Sequence, residues 1–359
     1  MKKNFLFRLS AIAMSLILIA CGGSTSEDVV ETETTAIESE ESLNVVVTTP
    51  MLGEFVKQVA GDSVVLDVLM PAEADPHTYD PSPQDAAKIA DADIVLYVGI
   101  KYETSSLLKL IENTASTNAT LLEIGEEIDP IEFKDGEHDH GNHDDYDEEG
   151  HDDDKDHDHE DEEGHDDHDE EGHEGHEGHD HGSEDPHFWF DPVRVAMAVE
   201  VIKDSLVSLD PANTSTYEAN ADNFISELTD LDAQVKSLIE SVSEDNRKIV
   251  TTHESLGYLE ARYGIEVFAT IIPTLSTADE ISPSQIADVI DVIEDNNIKV
   301  LFVESEAPSI YSETVTAEAG ITAVTGLYVE TLKDGQTYSD FLISNVTLIV
   351  ESLNSAGEG

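Results

Sequence analysis

The sequence predicts an α/β protein of two similar parallel-sheet lobes joined by one long rigid helix. Three observations lead there. First, short apolar runs alternate with helical patterns, as in "NVVVTT", "PMLGEFVKQVAG" and "DIVLYVG". Strands covered on both faces read as continuous apolar runs, and their alternation with helices means a parallel sheet. Second, the plan recurs: "KIVTTHESLGYLEARYG" echoes "NVVVTTPMLGEFVKQVAG", and "SPSQIADVIDVIEDNNIKVLFVES" echoes "SPQDAAKIADADIVLYVG". Third, between the halves Tyr217, Ala221, Phe224, Leu228, Leu231, Val235, Leu238 and Val242 recur at spacings of four and three. That is the mark of one uninterrupted helix with a single apolar seam.

Each segment follows in order. Residues 1–20 read as a lipoprotein signal peptide: Lys2, Lys3 and Arg8 precede an apolar run too short to span a membrane. "LIAC" at Leu18–Cys21 resembles a bacterial lipobox, with Cys21 as the lipidated first residue of the mature chain. Cys21 is the only cysteine, so intrachain disulfides and cysteine-rich zinc sites are excluded. Residues 21–42 have no usable period and read as a disordered tether. An N-terminal lobe covers 43–212. Its first helix is started by Pro50 and stopped by Gly61, and the next has Ser82 as N-cap, Pro83 first and Asp85 at the positive end. A linking helix covers 213–242, with Ser215 and Glu218 at capping-box spacing. At ~1.5 Å per residue its roughly 28 residues span about 42 Å, a strut that resists wide hinge motion. A C-terminal lobe covers 243–359.

The charge is extreme: 80 acids against 17 bases, net −63. Much of it lies in residues 135–185, an insertion with 12 His, 27 Asp and Glu and one Lys, which cannot bury a core and reads as disordered. The rest of the chain keeps a large acidic excess. Such a surface argues against nucleic acid and against an electrostatic grip on anionic lipid. It leaves the membrane to be reached through the lipid anchor only.

The 15 histidines divide unequally. Twelve lie in the insertion: His138, His140, His143, His151, His157, His159, His165, His168, His173, His176, His179 and His181. They are candidate auxiliary, low-affinity metal ligands. The other three sit in framed positions. His77 lies in "DPHTYDPSP", His187 in "DPHFWFDP", and His253 ends the run "KIVTTH". All three fall near strand–helix switches, where open α/β sheets bind ligands. Three imidazoles brought to one interlobe cleft make a metal site. A carboxylate should complete it: Glu330, after the run "AVTGLYV", with Glu304 of "VLFVES" as the rival, or water. No HExxH and no nucleophile elbow is present, so no enzyme and no catalytic residue is expected.

At these residues the chain resembles the metal-binding lipoproteins of bacterial ABC importers, the cluster A-I (cluster 9) group that includes the zinc-binding ZnuA proteins. "DPHTYDPSPQD", "DPHFWFDP", "TTHESLGYLEARYG" and "KVLFVES" carry the likeness over nearly the whole mature chain. The resemblance implies two lobes joined by a long helix, with His77, His187 and His253 as ligands. Glu330 falls where many members have aspartate. It implies high-affinity Zn²⁺ capture and delivery to a membrane permease with its cytoplasmic ATPase, by a monomer in the periplasm or on the outer face of the cytoplasmic membrane. Manganese-specific relatives tend to carry a carboxylate at the third ligand position; the histidine here suits zinc. Mn²⁺ or Fe²⁺ binding in the same importer class, or a metal-binding surface adhesin, are the alternatives. Zinc members commonly carry a His/acid-rich insertion where this chain has one, so the tract reads as a metal collector. Because imidazoles must be neutral to bind, affinity is expected to fall as pH drops through ~6.5.

Overall fold

A computed structural model describes residues 42–133, 184–307 and 309–357. Cys21, the tether up to residue 41 and all twelve histidines of the insertion lie outside the described residues.

The first sheet is formed by β1 (Leu43–Val47), β2 (Val64–Val68), β3 (Ile94–Tyr97) and β4 (Thr120–Glu123). All pairs are parallel, in the order β2-β1-β3-β4. Three helices provide the crossovers: α1 (Pro50–Ala60), α2 (Pro83–Ala90) and α3 (Ser105–Thr114). The second sheet repeats this plan. Its strands β5 (Lys248–His253), β6 (Glu266–Ile272), β7 (Val300–Glu304) and β8 (Thr322–Leu327) run parallel in the order β6-β5-β7-β8. Its crossovers are α6 (Gly257–Tyr263), α7 (Pro283–Asp295) and α8 (Ser309–Ala319). The same strand order in both halves accounts for the echo in the sequence.

Local chemistry sets the helix starts. Thr49 caps α1 through Leu52 N–H, and Met51, Leu52, Phe55, Val56 and Val59 bury one face of it. Each such side chain contributes about 1.5–3 kcal/mol on burial, so Phe55→Ala is the single change most damaging to this element, at about 3–5 kcal/mol. Ser82 and Asp85 form a reciprocal capping box on α2, and Ser282 and Gln285 do the same on α7. Both helices begin with the proline that the box precedes.

Between the sheets lie α4 (Pro192–Leu209) and α5 (Thr214–Glu240), and α9 (Tyr338–Gly357) closes the chain. The strut α5 is pinned at both ends. Asn220 Nδ2 donates to the Val59 carbonyl of the first lobe at 3.0 Å, and Asp232 accepts from Arg262 and Tyr263 of the second at 2.6 and 2.8 Å. One apolar core runs unbroken from β1 through α4, α5 and α9 to β7, with smaller clusters on the outer face of each sheet.

Two expectations about the strut change. The Ser215–Glu218 capping box does not form. The helix starts at Thr214, after a 3-10 turn at Pro211–Asn213, and Asn213 makes no side-chain cap. The entry is held instead by Asp210, which accepts from the Tyr217 hydroxyl and from Asn213 Nδ2, both at 2.7 Å. Near its end the buried seam passes through Ile239 rather than Leu238, and Val242, though buried, lies past the helix, which stops at Glu240. At about 100° per residue Ile239 lies roughly 40° from Tyr217 on the helix wheel, and Leu238 roughly 60° on the other side.

Candidate metal centre

His77, His187, His253 and Glu330 meet. Each offers one ligand atom, and these atoms all lie within 4.8 Å of one another. His77 Nε2 and His187 Nε2 stand 3.5 and 3.4 Å from Glu330 Oε1, and His253 Nε2 stands 2.8 Å from it. Donors arranged tetrahedrally at ~2.0–2.1 Å from one zinc ion sit about 3.4 Å apart. None of the side chains is more than 3% exposed. All three Nε2 atoms and both Glu330 carboxylate oxygens are buried without a hydrogen-bond partner. Buried polar atoms are nearly always paired, so five unpaired ones around a point make a cluster that could hold a cation.

The strands explain the convergence. His253 is the last residue of β5 and Glu330 follows β8 by three residues, both at the carboxyl edge of the second sheet. His77 lies in the long connection from β2 to α2 at the same edge of the first sheet. His187 differs from expectation, because no strand precedes it. It leaves an isolated antiparallel bridge between Glu132 and Glu184 and enters the 3-10 turn Phe188–Phe190 that leads to α4.

Two carboxylates aim the rings. Asp185 Oδ1 accepts the His187 amide at 2.9 Å and faces its Nδ1 at 2.8 Å. Glu304 does the same for His253: Oε1 accepts the amide at 3.2 Å and Oε2 faces Nδ1. A proton held on Nδ1 leaves the Nε2 lone pair pointing inward. Glu304 is thus not a fourth donor. It is fully occupied by His253 and by the Ser255 hydroxyl at 3.2 Å. Asp185 corrects the boundary of the insertion. The sequence reading placed it at the end of the tract, yet it is buried and its amide donates to the Ile131 carbonyl at 3.0 Å. Its signal was the "DPH" repeat, in which an aspartate two residues before each histidine can close an Asx turn.

The electrostatics follow. Burial opposes a charge on His187, but Glu330 and Asp185 more than offset it and push the imidazole up to about 9. Burial likewise opposes a charged His253, and Glu304 and Glu330 hold it well above the ordinary histidine value. Burial would raise Glu330, yet the His187 and His77 imidazoles bring it well below the usual carboxylate range. The metal-free site therefore sets the Glu330 carboxylate against charged His187 and His253 rings, and a cation binding there would have to displace their protons. This moves the expected loss of affinity from ~6.5 up toward 9.

Comparison with known proteins gives the family. Residues 45–352 match the family described as zinc-uptake complex component A, periplasmic. The chain is 25% identical over 358 residues to the manganese-binding lipoprotein MntA of Halalkalibacterium halodurans, covering 98% of this chain and 99% of that one. It is 26% identical over 361 residues to the iron ABC transporter substrate-binding lipoprotein MtsA of Streptococcus pyogenes, again 98% and 99% of the two chains. In fold it is similar to the periplasmic zinc binding protein TroA of Treponema pallidum, with a TM-score of 0.69 at 22% identity over 86% of this chain and 98% of that one. All three are described as binding proteins, MtsA as the substrate-binding lipoprotein of an ABC transporter. Among the described residues no helix is long and apolar enough to cross a membrane. The chain belongs to the zinc-uptake component A family, the extracytoplasmic substrate-binding components of bacterial metal ABC importers.

Proposed function

We propose that this chain captures Zn²⁺ outside the cytoplasmic membrane and delivers it to a membrane permease driven by a cytoplasmic ATPase. One observation carries the choice of ion: the cage offers three imidazole nitrogens and one carboxylate, His77, His187, His253 and Glu330. Such a set suits a borderline ion, whereas manganese and ferrous iron favour more oxygen donors. Glu330 neutralises one of the two charges, and Asp185 and Glu304 hold the Nδ1 protons of His187 and His253, so the proton each ring gives up to an incoming ion is the one on Nε2.

The flanks of the His/acid tract rejoin the fold at the Glu132–Glu184 bridge, two residues before Pro186 and three before His187. A collector anchored there would hand its ions directly to the cage. Acylation at Cys21 and action as a monomer complete the proposal.

The second reading, Mn²⁺ or Fe²⁺ as cargo, is favoured by the names of the MntA and MtsA relatives. Competition titration separates the two. Zinc should be held at one equivalent and resist a large excess of manganese; displacement of zinc by equimolar manganese would overturn the zinc assignment. Removing residues 135–183 while keeping Glu184 and Asp185 should leave that one equivalent in place. The adhesin alternative has no residue of the site in its support and is not proposed.

A further inference from the structure

Tyr102 has no role in the reading above, yet it touches most of the site. Its ring is buried and packs edge-on against His77 at 5.2 Å, His187 at 5.9 Å and Trp189 at 5.2 Å between centroids. Its hydroxyl crosses from the first lobe to donate to the main-chain carbonyl of Glu330 at 2.8 Å.

The loop that presents Tyr102 is held under restraint. Gly99, Ile100 and Lys101 have φ of 77°, 51° and 59°, a region that a branched residue such as Ile100 enters only when its surroundings impose it. A Cβ on Gly99 would stand 1.9 Å from Glu123 Oε1. Two carboxylates fix the backbone: Glu103 accepts the amides of Val98 and Gly99 at 2.7 and 2.9 Å and the Thr48 hydroxyl at 2.7 Å, and Glu123 accepts the amide of Ile100 at 2.9 Å. Strain of this kind clusters where a side chain must be placed.

The segment that receives the hydroxyl is gripped residue by residue. Asn345 of α9 accepts from the Tyr328 amide at 3.1 Å and donates to its carbonyl at 2.6 Å. Trp189 Nε1 donates to the Val329 carbonyl at 2.7 Å, and Tyr102 takes the Glu330 carbonyl. The latter two come from elements that carry or pack on His187 and His77. Separating them from the second lobe pulls directly on the residue that bears the carboxylate.

We propose that Tyr102 is a positioning residue that ties His77, His187 and Glu330 into one unit, so that closing the lobes and seating the carboxylate on the metal are a single event. The inference rests on Glu330 being a ligand. It deepens the proposed function by naming what must break for release: the Tyr102–Glu330 bond, with Trp189–Val329 beside it.

The test uses the full chain loaded with Zn²⁺, and with Co²⁺, whose visible absorption reports its coordination. Tyr102→Phe keeps the ring and removes the hydroxyl. It should release Zn²⁺ to excess chelator about tenfold faster or more, in the range seen for residues that orient ligands. Its Co²⁺ spectrum should move toward that of Glu330→Gln. Tyr217→Phe, which loses the hydroxyl bond to Asp210 at the start of α5, should release at the wild-type rate. Trp189→Phe is read in the same way and decides the matter if Tyr102→Phe does not fold. Wild-type release rates and spectra in the folded variants would overturn the proposal. A wild-type chain that fails to take one equivalent of either ion would instead overturn the metal-site reading on which it rests.

Discussion

At Asp75–His77 and at Asp185–His187 an aspartate accepts the amide of the histidine two residues on, at 3.0 and 2.9 Å, across an intervening proline. The second oxygen and the ring then part ways. Asp185 turns the shared Oδ1 onto His187 Nδ1 and orients the imidazole itself. Asp75 turns Oδ2 away, to the hydroxyl of Thr277 in the opposite lobe at 2.6 Å. The same three-residue chemistry therefore serves two ends: at His187 it aims a donor, and at His77 it latches a loop across the cleft while Tyr102 packs the ring. A short local motif fixes where a histidine stands, but its partners decide what it does.

The predictions probe that difference. Removing the donor should hurt both turns alike and most severely. Zinc sites worth about 10–16 kcal/mol over four donors imply a loss of about a hundred- to a thousandfold for His77→Ala or His187→Ala. Chelator competition measures it, and a loss under about tenfold at either would remove that ring from the ligand set.

The orienting carboxylates should separate the turns. Asp185→Asn should weaken zinc about 10–100-fold, as orienting partners of metal-bound histidines do, and Asp75→Asn less than about tenfold. Equal losses would erase the distinction.

Next comes pH. Folded, metal-free His187 is pushed up to about 9, against ~6.5 in an unfolded chain. Its charge stabilises the metal-free fold fully below ~6.5, and that contribution drains away as pH rises through about 9. Zinc competes with the same proton, so affinity should climb over this window by up to about tenfold per pH unit for each proton displaced. The melting-temperature gap between zinc-loaded and metal-free protein should widen from about pH 6.5 to about pH 9. A constant gap would deny the coupling, and Asp185→Asn should narrow the window.

The smallest effect is expected at the latch. Thr277→Val should cost about 0.5–1.5 kcal/mol of thermal stability and leave zinc affinity within a fewfold.

Period and punctuation made most of the architecture legible. Continuous apolar runs marked β1, β3, β5 and β7, and the Ser-Pro starts of α2 and α7 announced themselves. The converging histidines were legible because the three outside the insertion sat in framed settings, two in Asp-Pro-His and one at the end of β5, and Glu330 because it follows the apolar run of β8. What escaped depended on contacts between distant residues. Glu304 and Asp185 differ from a ligand only in which atom they face. Tyr102 looks like any loop aromatic until its hydroxyl is seen 228 residues away on Glu330. The start of α5 was misread because a capping-box spacing is satisfied locally by many polar pairs, whereas the chain here enters through a 3-10 turn. α9 did carry a readable signal, with Tyr338, Phe341, Leu342, Val346, Ile349, Val350 and Leu353 at helical spacing, but received no assignment.

The most direct test of the central claim is a crystal structure of the zinc-loaded protein with anomalous data at the zinc edge. It should show one interlobe ion bonded at ~2.0–2.1 Å to the Nε2 atoms of His77, His187 and His253 and to a carboxylate oxygen of Glu330. An ion bound elsewhere, or one that leaves any of those three rings outside bonding distance, would contradict it.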